Sequence, residues 1–124
     1  MPKILIVDDS VDFAEFLAEL LKREAYDPVI AHNGYQAIEY IDNNHFDAII
    51  TDVIMPEMDG IGLVKCLQER NITVPVIVIS GGGITLKSDE ALKVFEPHAT
   101  AIFSKPLDYQ KLLSTLSDLT KNNE

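Results

Sequence analysis

The sequence predicts a doubly wound α/β domain, in which a five-stranded parallel sheet carries five helices on its two faces. Short apolar runs alternate with segments of helical periodicity along the whole chain, as consecutive βα units require. Three of the runs are almost continuously apolar, which is typical of strands buried on both faces. With 124 residues, 47% of them apolar, the chain has the size and composition of one folded domain, residues 1–124.

The five predicted strands differ in apolar character, and this difference predicts their order. The runs at residues 3–7, 47–51 and 74–79 are the most apolar and belong at the centre of the sheet. The runs at 28–31 and 100–104 are mixed, as edge strands are. Right-handed crossovers then give the order 2-1-3-4-5, a flavodoxin-like three-layer sandwich. Ligands of such sheets bind at the carboxyl ends of the strands, so we expect the functional site there.

Each predicted helix is marked by apolar residues at helical spacing. In the first helix Phe13, Phe16, Leu17, Leu20 and Leu21 form one stripe that we expect to be buried, with Ser10 as the N-cap. The other four helices are marked by Ala37, Ile38 and Ile41 after Asn33-Gly34, by Ile61, Val64 and Leu67 after Asp59, by Leu86, Leu92 and Phe95 before Pro97, and by Tyr109, Leu112, Leu113, Leu116 and Leu119 after Asp108.

The charge balance narrows the classes of partner. Twenty acidic and ten basic residues give a net charge of -10 and a pI near 4.6. Because the basic residues are scattered, such a surface disfavours direct binding to nucleic acid or to an anionic membrane. The single cysteine, Cys66, excludes an intrachain disulfide, and neither a signal peptide nor a membrane span is recognisable. We therefore predict a cytoplasmic protein.

Polar residues that could carry chemistry stand where the predicted strands end. Asp8 and Asp9 follow the first strand, Asp52 the third, Ser80 the fourth and Lys105 the fifth. Three carboxylates in one crevice repel one another unless one is protonated or a cation lies among them, and oxygen ligands of this kind suit Mg²⁺. The ion, Ser80 and Lys105 could together receive a phosphoryl group. Asp52, on the central strand, fits best as a nucleophile that forms an aspartyl phosphate.

These motifs resemble the receiver domain of two-component response regulators, most closely the stand-alone kind used in chemotaxis. The resemblance covers essentially all 124 residues. It rests on Asp8 and Asp9 in VDDS, Asp52 in TDVIMPEMDG, Ser80 in VISGG and Lys105 in FSKPL. Any one of these motifs is weak, but all of them at the ends of the appropriate strands are specific.

The resemblance implies a phosphorylation-controlled signalling switch whose only chemistry is on itself. Asp52 would accept the phosphoryl group from a sensor histidine kinase or a histidine phosphotransfer protein. Asp9, Asp52 and the backbone carbonyl of Ile54 would bind Mg²⁺ directly, and Asp8 would act through water. Ser80 would be the hydroxyl that moves toward the phosphoryl group, and Lys105 would pair with it.

The resemblance also implies an output partner, which the sequence does not identify. The family docks partners on the face formed by the fourth helix, fifth strand and fifth helix, where Lys87, Lys93, Ile102 and Lys111 are candidates. Because the last predicted helix is followed only by TKNNE, we expect the output to be a separate protein, or a further domain if the sequence is part of a longer chain. We expect the chain to be a monomer or a phosphorylation-dependent dimer.

Two departures from the family pattern affect signalling. Ile102 stands where the family often has an aromatic residue that swings inward, and Phe103 should face the opposite side of the strand. Ile54 and Gly82 occupy the positions that influence hydrolysis of the aspartyl phosphate, and neither can orient a water molecule. We therefore expect a comparatively long-lived phosphate.

Three other functions are compatible with parts of this pattern. A Mg²⁺-dependent phosphohydrolase with an aspartate nucleophile uses similar groups, but VDDSVD does not match its DxDx[TV] pattern and the chain has little room for a cap. Flavin binding needs a neutral phosphate loop where Asp8 and Asp9 stand. A receiver-like scaffold without chemistry would lack some of the expected side chains, all of which are present here. The sequence favours the switch.

Overall fold

Nine helices and strands are defined in the structure, a computed structural model that describes residues 1–52, 60–80, 100–104 and 106–121. They are β1 (Lys3–Val7), α1 (Val11–Arg23), β2 (Asp27–Ala31), α2 (Gly34–Asn43), β3 (Ala48–Asp52), α3 (Gly60–Glu69), β4 (Val76–Ser80), β5 (Ala101–Ser104) and α4 (Tyr109–Lys121). Helix α4 is the last of the five predicted helices. The helix predicted around Leu86, Leu92 and Phe95, and the predicted cap Asp59, lie outside the described residues. None of the helices in the described ranges is long and apolar enough to cross a membrane.

The strand order is β2-β1-β3-β4-β5, as predicted, and every neighbouring pair is parallel. The central strands β1 and β3 are buried along almost their whole length, whereas β2 at the edge is only partly buried. All five carboxyl ends therefore meet along one edge of the sheet, here called the carboxyl edge. The opposite side, where the strands begin, is called the amino edge.

Six strand boundaries differ from the prediction by one or two residues. Asp52 and Ser80 are the last residues of β3 and β4 rather than the first residues after them, because Asp52 pairs with Ile79 and Ser80 with Ser104. Strand β4 begins at Val76 instead of Val74. Pro75, which has no N–H to give to a ladder, contributes only its carbonyl, which accepts from Ile49 at 2.9 Å.

Two apolar layers sandwich the sheet, since successive residues of a strand point to opposite faces. Leu5 and Val7 of β1 pack in the cluster that includes α2 and α3, and Ile4 and Ile6 pack in the cluster that includes α1 and α4. On β5, Ile102 contacts the first cluster and Phe103 the second. The prediction that these two side chains face opposite sides is thus confirmed.

Helix α1 shows one error in the predicted core. Leu17 and Leu21 are fully buried, and Phe13 and Leu20 are partly buried against the same cluster. Phe16, however, is 55% exposed. It lies at the border of the apolar stripe, and the small residues Ala14 and Ala18 fill the contact with the sheet instead, both of them buried.

The predicted starts of three helices are confirmed by hydrogen bonds. The Ser10 hydroxyl accepts from the Phe13 N–H at 3.4 Å, and the Asn33 side chain accepts from the Gln36 N–H at 2.8 Å. Asp108 accepts from the Lys111 N–H at 3.2 Å. These bonds satisfy N–H groups that lack a partner within the first helical turn.

Helices α1 and α3 end in the same way, with a Schellman motif. After α1, the N–H of Tyr26 donates to the Leu21 carbonyl and that of Ala25 to the Lys22 carbonyl. After α3, Ile72 and Asn71 make the equivalent bonds to residues 67 and 68. The motif requires a left-handed residue, here Ala25 (φ 67°) and Asn71 (φ 56°).

Candidate functional site

Three carboxylates converge at the carboxyl edge, where the sequence predicts the site. Asp8 and Asp9 directly follow β1, and Asp52 ends β3, the neighbour of β1 in the sheet. Carboxylate oxygens of the three residues all lie within 4.8 Å of one another. The sheet order thus brings together residues that are more than forty positions apart in the chain.

The three carboxylates differ in exposure, and the difference separates their possible roles. Asp8 is only 3% exposed, Asp52 is half-buried and Asp9 is exposed. The cluster therefore extends from the interior of the domain to its surface. A ligand that arrives from solvent can reach Asp9 and Asp52 directly. Asp8 lies beneath them and contributes its negative charge to the site from the interior.

Asp8 is fixed in place by backbone hydrogen bonds on both sides. Its N–H donates to the Ala31 carbonyl of β2 at 3.1 Å, which continues the strand pairing by one residue. Its Oδ1 accepts from the Ser10 N–H at 2.8 Å, an Asx turn that leads the chain into α1. The buried carboxylate and the start of α1 are therefore rigidly connected.

The electrostatics of the cluster favour a cation. Two unit charges at such a separation repel by about 1 kcal/mol even at the dielectric constant of water, and by more where water is excluded. The donor atoms are carboxylate oxygens, without sulfur or imidazole nitrogen among them. Such a hard donor set fits Mg²⁺, which prefers oxygen ligands and keeps several waters, for which the exposed side of the cluster leaves room.

The other predicted site residues are located only in part. Ser80 is the last residue of β4, which lies beside β3, so its backbone is at the same edge of the sheet as Asp52. Ile54 and Lys105 lie outside the described residues. The roles predicted for these three residues stay predictions.

Sequence reasoning missed two local features of the site. The Asx turn of Asp8 could have been read from the Asp-x-Ser spacing before a helix, because aspartate often accepts from the N–H two residues on. Thr51 is fully buried, and its hydroxyl donates to the Asp52 carbonyl at 3.0 Å, next to the site. A threonine in an apolar strand gives no signal of such a bond.

Comparisons with known proteins agree with this geometry. The family model "Response regulator receiver domain" matches residues 4–117. The transcriptional regulatory protein ZraR of Klebsiella oxytoca is 35% identical over 115 residues, which are 93% of this chain and 25% of that protein. The chain thus spans about a quarter of the length of the first curated relatives it matches.

Solved structures show the same relationship over the whole chain. The receiver domain of the Francisella response regulator 1452 is 31% identical with a TM-score of 0.87, and the match covers 100% of both chains. The chemotaxis protein CheY4 of Vibrio cholerae is 28% identical with a TM-score of 0.84, over 96% of this chain and 98% of that one. None of these matches favours a phosphohydrolase or a flavin-binding protein. The chain belongs to the response regulator receiver domain family.

Proposed function

We propose that residues 1–124 form a single switch domain that is phosphorylated on Asp52 by a sensor histidine kinase or a histidine phosphotransfer protein. The observation that carries the proposal is the convergence of Asp8, Asp9 and Asp52 at the carboxyl edge, with carboxylate oxygens within 4.8 Å. Membership of the receiver family supports it, because receiver domains take phosphoryl groups from histidine kinases. The chain acts on itself and on no other substrate.

Asp52 is the best-placed nucleophile of the three acids. Asp8 is buried and its Oδ1 is held by the Ser10 N–H, so it is poorly placed to meet a donor protein. Asp9 is exposed and lies where the chain turns toward α1, whereas Asp52 ends a central strand and is half-buried. Burial excludes part of the water that would compete with the donor and hydrolyse the product.

The reaction is a transfer between two side chains. A carboxylate oxygen of Asp52 attacks the phosphorus of a phosphohistidine, the P–N bond breaks, and its electron pair returns to the imidazole nitrogen, which takes up a proton. Asp9, Asp52 and the Ile54 carbonyl would hold Mg²⁺ directly, with Asp8 acting through water. When bound, Mg²⁺ supplies positive charge that offsets the acidic cluster and stabilises negative charge on the transferred group. Lys105 neutralises a further phosphoryl oxygen.

The signal then passes from Asp52 to its surroundings. The phosphoryl group adds negative charge, which draws Ser80 and Lys105 toward it and shifts a pre-existing equilibrium between inactive and active conformations. The surface that includes β5 and α4 presents the change to a cytoplasmic protein partner. Position 102 holds an isoleucine, which is half-buried against the core. The shift therefore proceeds without an aromatic side chain at that position.

Phosphorylation with a small donor tests the proposal directly. The purified chain incubated with acetyl phosphate and Mg²⁺ is expected to gain one phosphoryl group by intact mass. Asp52→Asn and addition of EDTA should each abolish the gain, because the first removes the nucleophile and the second the ion. Asp27→Asn, an exposed acid at the amino edge, is the matched control and should be labelled like the wild type.

Two results would contradict the proposal. Labelling that survives in Asp52→Asn would place the phosphoryl group elsewhere. Steady turnover of a generic phosphomonoester such as p-nitrophenyl phosphate, abolished by the same substitution, would indicate a hydrolase instead.

A further inference from the structure

Strand β2 is the last strand at one end of the sheet, so only one of its sides pairs with another described strand, β1. Two hydrogen bonds fix which of its backbone groups face β1. The Asp27 N–H donates to the Pro2 carbonyl at 2.8 Å, and the Ala31 carbonyl accepts from the Asp8 N–H at 3.1 Å. Backbone groups of successive residues point to opposite sides of a strand, so residues 27, 29 and 31 face β1. Residues 28, 30 and 32 face away from it, on what is here called the outer side of β2.

The outer side of β2 offers few donors to a further strand. Pro28 has no N–H. The His32 N–H is already bonded, because it donates to Oε1 of Gln36 on α2 at 2.8 Å. Among the described residues of this side, the Ile30 N–H is then the only donor left for another strand. A row of unpaired backbone groups is what makes an edge strand prone to pairing between chains, and here that row is interrupted at both ends.

The Gln36 side chain is held in position by the start of its own helix. Asn33, the N-cap of α2, accepts from the Gln36 N–H at 2.8 Å. In an ordinary capping box the side chain three residues after the cap bonds to the N–H of the cap residue itself. Gln36 bonds instead to the N–H one residue earlier, that of His32, which belongs to the outer side of β2. The bond therefore closes a strand edge as well as a helix end.

The segment that this closure protects is suited to pairing with a copy of itself. Residues 28–31 carry no charge, and Val29 and Ile30 strongly favour strands. If two copies of β2 lay antiparallel with their Ile30 residues opposite each other, each Ile30 N–H would meet the carbonyl of the other Ile30. The next positions would join His32 of one copy to Pro28 of the other. At those positions the His32 N–H is occupied and proline has no N–H, so only the central bonds can form.

We infer that Pro28 and Gln36 close the outer side of β2 against pairing with the same strand of a second copy of the chain. Pro28 acts by lacking an N–H, and Gln36 acts by occupying the N–H of His32. The closure is a property of the unphosphorylated chain and does not depend on phosphoryl transfer. It concerns this edge of the sheet alone and leaves other surfaces available for the phosphorylation-dependent dimer predicted from the sequence.

Opening the edge by substitution tests the inference. Pro28→Val restores an N–H, and Gln36→Ala releases that of His32. The double variant is expected to have a dimer dissociation constant at least about 100-fold lower than the wild type, and Gln36→Ala alone about 10-fold lower, since each backbone hydrogen bond gained contributes a factor of about 5. Because one edge pairs with its own copy, the product should be a closed dimer. Sedimentation equilibrium in EDTA and about 0.15 M salt, which screens the net charge of -10, measures the constants.

Two matched variants separate the closure from general effects of substitution. Gln36→Glu keeps a side-chain oxygen that can accept from the His32 N–H, so it should remain as monomeric as the wild type. Gln68→Ala removes the same type of side chain from an exposed position on α3 and should also behave like the wild type.

Amide hydrogen exchange shows where any dimer forms. In the wild type the Val29 amide, which faces β1, should exchange slowly and the Ile30 amide faster, while the His32 amide should be protected by Gln36. Gln36→Ala at low concentration should lose the protection of His32. In the double variant the Ile30 amide should become protected as the protein concentration rises.

Three results would overturn the inference. A folded double variant that stays monomeric at the concentrations tested would show that the edge is not what keeps two copies apart. A dimer in which the Ile30 amide exchanges as in the monomer would have formed on another surface. If the double variant does not fold, the exchange data on the other two proteins decide, because equal exchange of the His32 amide in the wild type and in Gln36→Ala would show that Gln36 does not close the edge.

Discussion

The two edges of the sheet use aspartate in opposite ways. At the amino edge, the Asp47 side chain accepts from the Lys3 N–H at 2.8 Å, and the Asp47 N–H donates to the Lys3 carbonyl at the same distance. Asp47 thus pairs with both backbone groups of Lys3, the N–H through its side chain and the carbonyl through its own N–H, where β1 and β3 begin. At the carboxyl edge, the carboxylates of Asp8, Asp9 and Asp52 lie against one another. Aspartate stabilises the fold through hydrogen bonds at the amino edge, whereas the mutual repulsion of three aspartates at the carboxyl edge lowers its stability.

A second acid at the amino edge, Asp42, also makes hydrogen bonds that stabilise the fold. Asp42 at the end of α2 accepts from Nε and Nη2 of Arg70, at 3.0 and 3.5 Å, and so connects α2 to the end of α3. Its hydrogen bond raises the pKa of the Arg70 guanidinium above the usual value. Asp42 and Asp47 thus have partners of opposite charge or polarity at the amino edge, whereas three like charges lie together at the carboxyl edge. Sites that bind ligands commonly carry such a cost in stability.

Among the substitutions, Asp47→Ala should have the largest effect on stability. It removes the acceptor of the Lys3 N–H from a partly buried position, so we expect the free energy of unfolding to fall by about 2 kcal/mol. Equilibrium unfolding in urea measures the change.

The amide variant separates charge from hydrogen bonding at this position. Asp47→Asn keeps an acceptor oxygen and should cost less than half as much as Asp47→Ala. Equal losses in the two variants would mean that the negative charge, which stands 3.7 Å from His45, matters more than the hydrogen bond to Lys3.

Asp9→Asn should stabilise the protein, in contrast to Asp47→Ala. Without divalent ions, neutralising one of three crowded carboxylates removes two repulsions, and we expect the free energy of unfolding to rise by about 1 kcal/mol. Thermal unfolding in EDTA measures the gain. Asp27→Asn, which neutralises an exposed acid at the amino edge, controls for the net charge of -10 and should change stability far less.

Mg²⁺ should make the wild type more stable than Asp9→Asn, the reverse of their order in EDTA. An ion that binds only the folded state stabilises it by about 2.7 kcal/mol at a hundredfold excess over its dissociation constant. The wild type should therefore gain stability on titration with Mg²⁺, and Asp9→Asn should gain much less. An equal response of the two proteins would show that Asp9 is not a ligand.

The strand order and the acidic cluster could be predicted from sequence because both depend on repeated patterns. Continuous apolar runs identified the central strands, and the parallel arrangement brought Asp8, Asp9 and Asp52 to one edge. The caps Ser10, Asn33 and Asp108 were predictable for a related reason, since each depends on residues at most four positions away.

Features that depend on the packing of two separate elements could not be predicted. Phe16 has the correct helical spacing for the core, but Ala14 and Ala18 make the buried contact with the sheet and Phe16 is 55% exposed. The Lys3–Asp47 exchange depends on the register of β1 against β3. Periodicity within one segment carries no information about either.

The smallest effect concerns the turns at the amino edge, where α1 and α3 end in matching Schellman motifs. The left-handed position holds Ala25 after α1 and Asn71 after α3. A Cβ in this conformation costs about 1–2 kcal/mol, and asparagine tolerates it better than alanine. Glycine avoids the clash but loses more chain entropy on folding, so Ala25→Gly should raise the free energy of unfolding by only about 0.5 kcal/mol. Asn71→Gly is the control and should change it less. If Ala25→Gly destabilises the protein in urea, the methyl group contributes packing that outweighs its strain, and even the amino edge would then hold a residue in a costly conformation for the sake of its contacts.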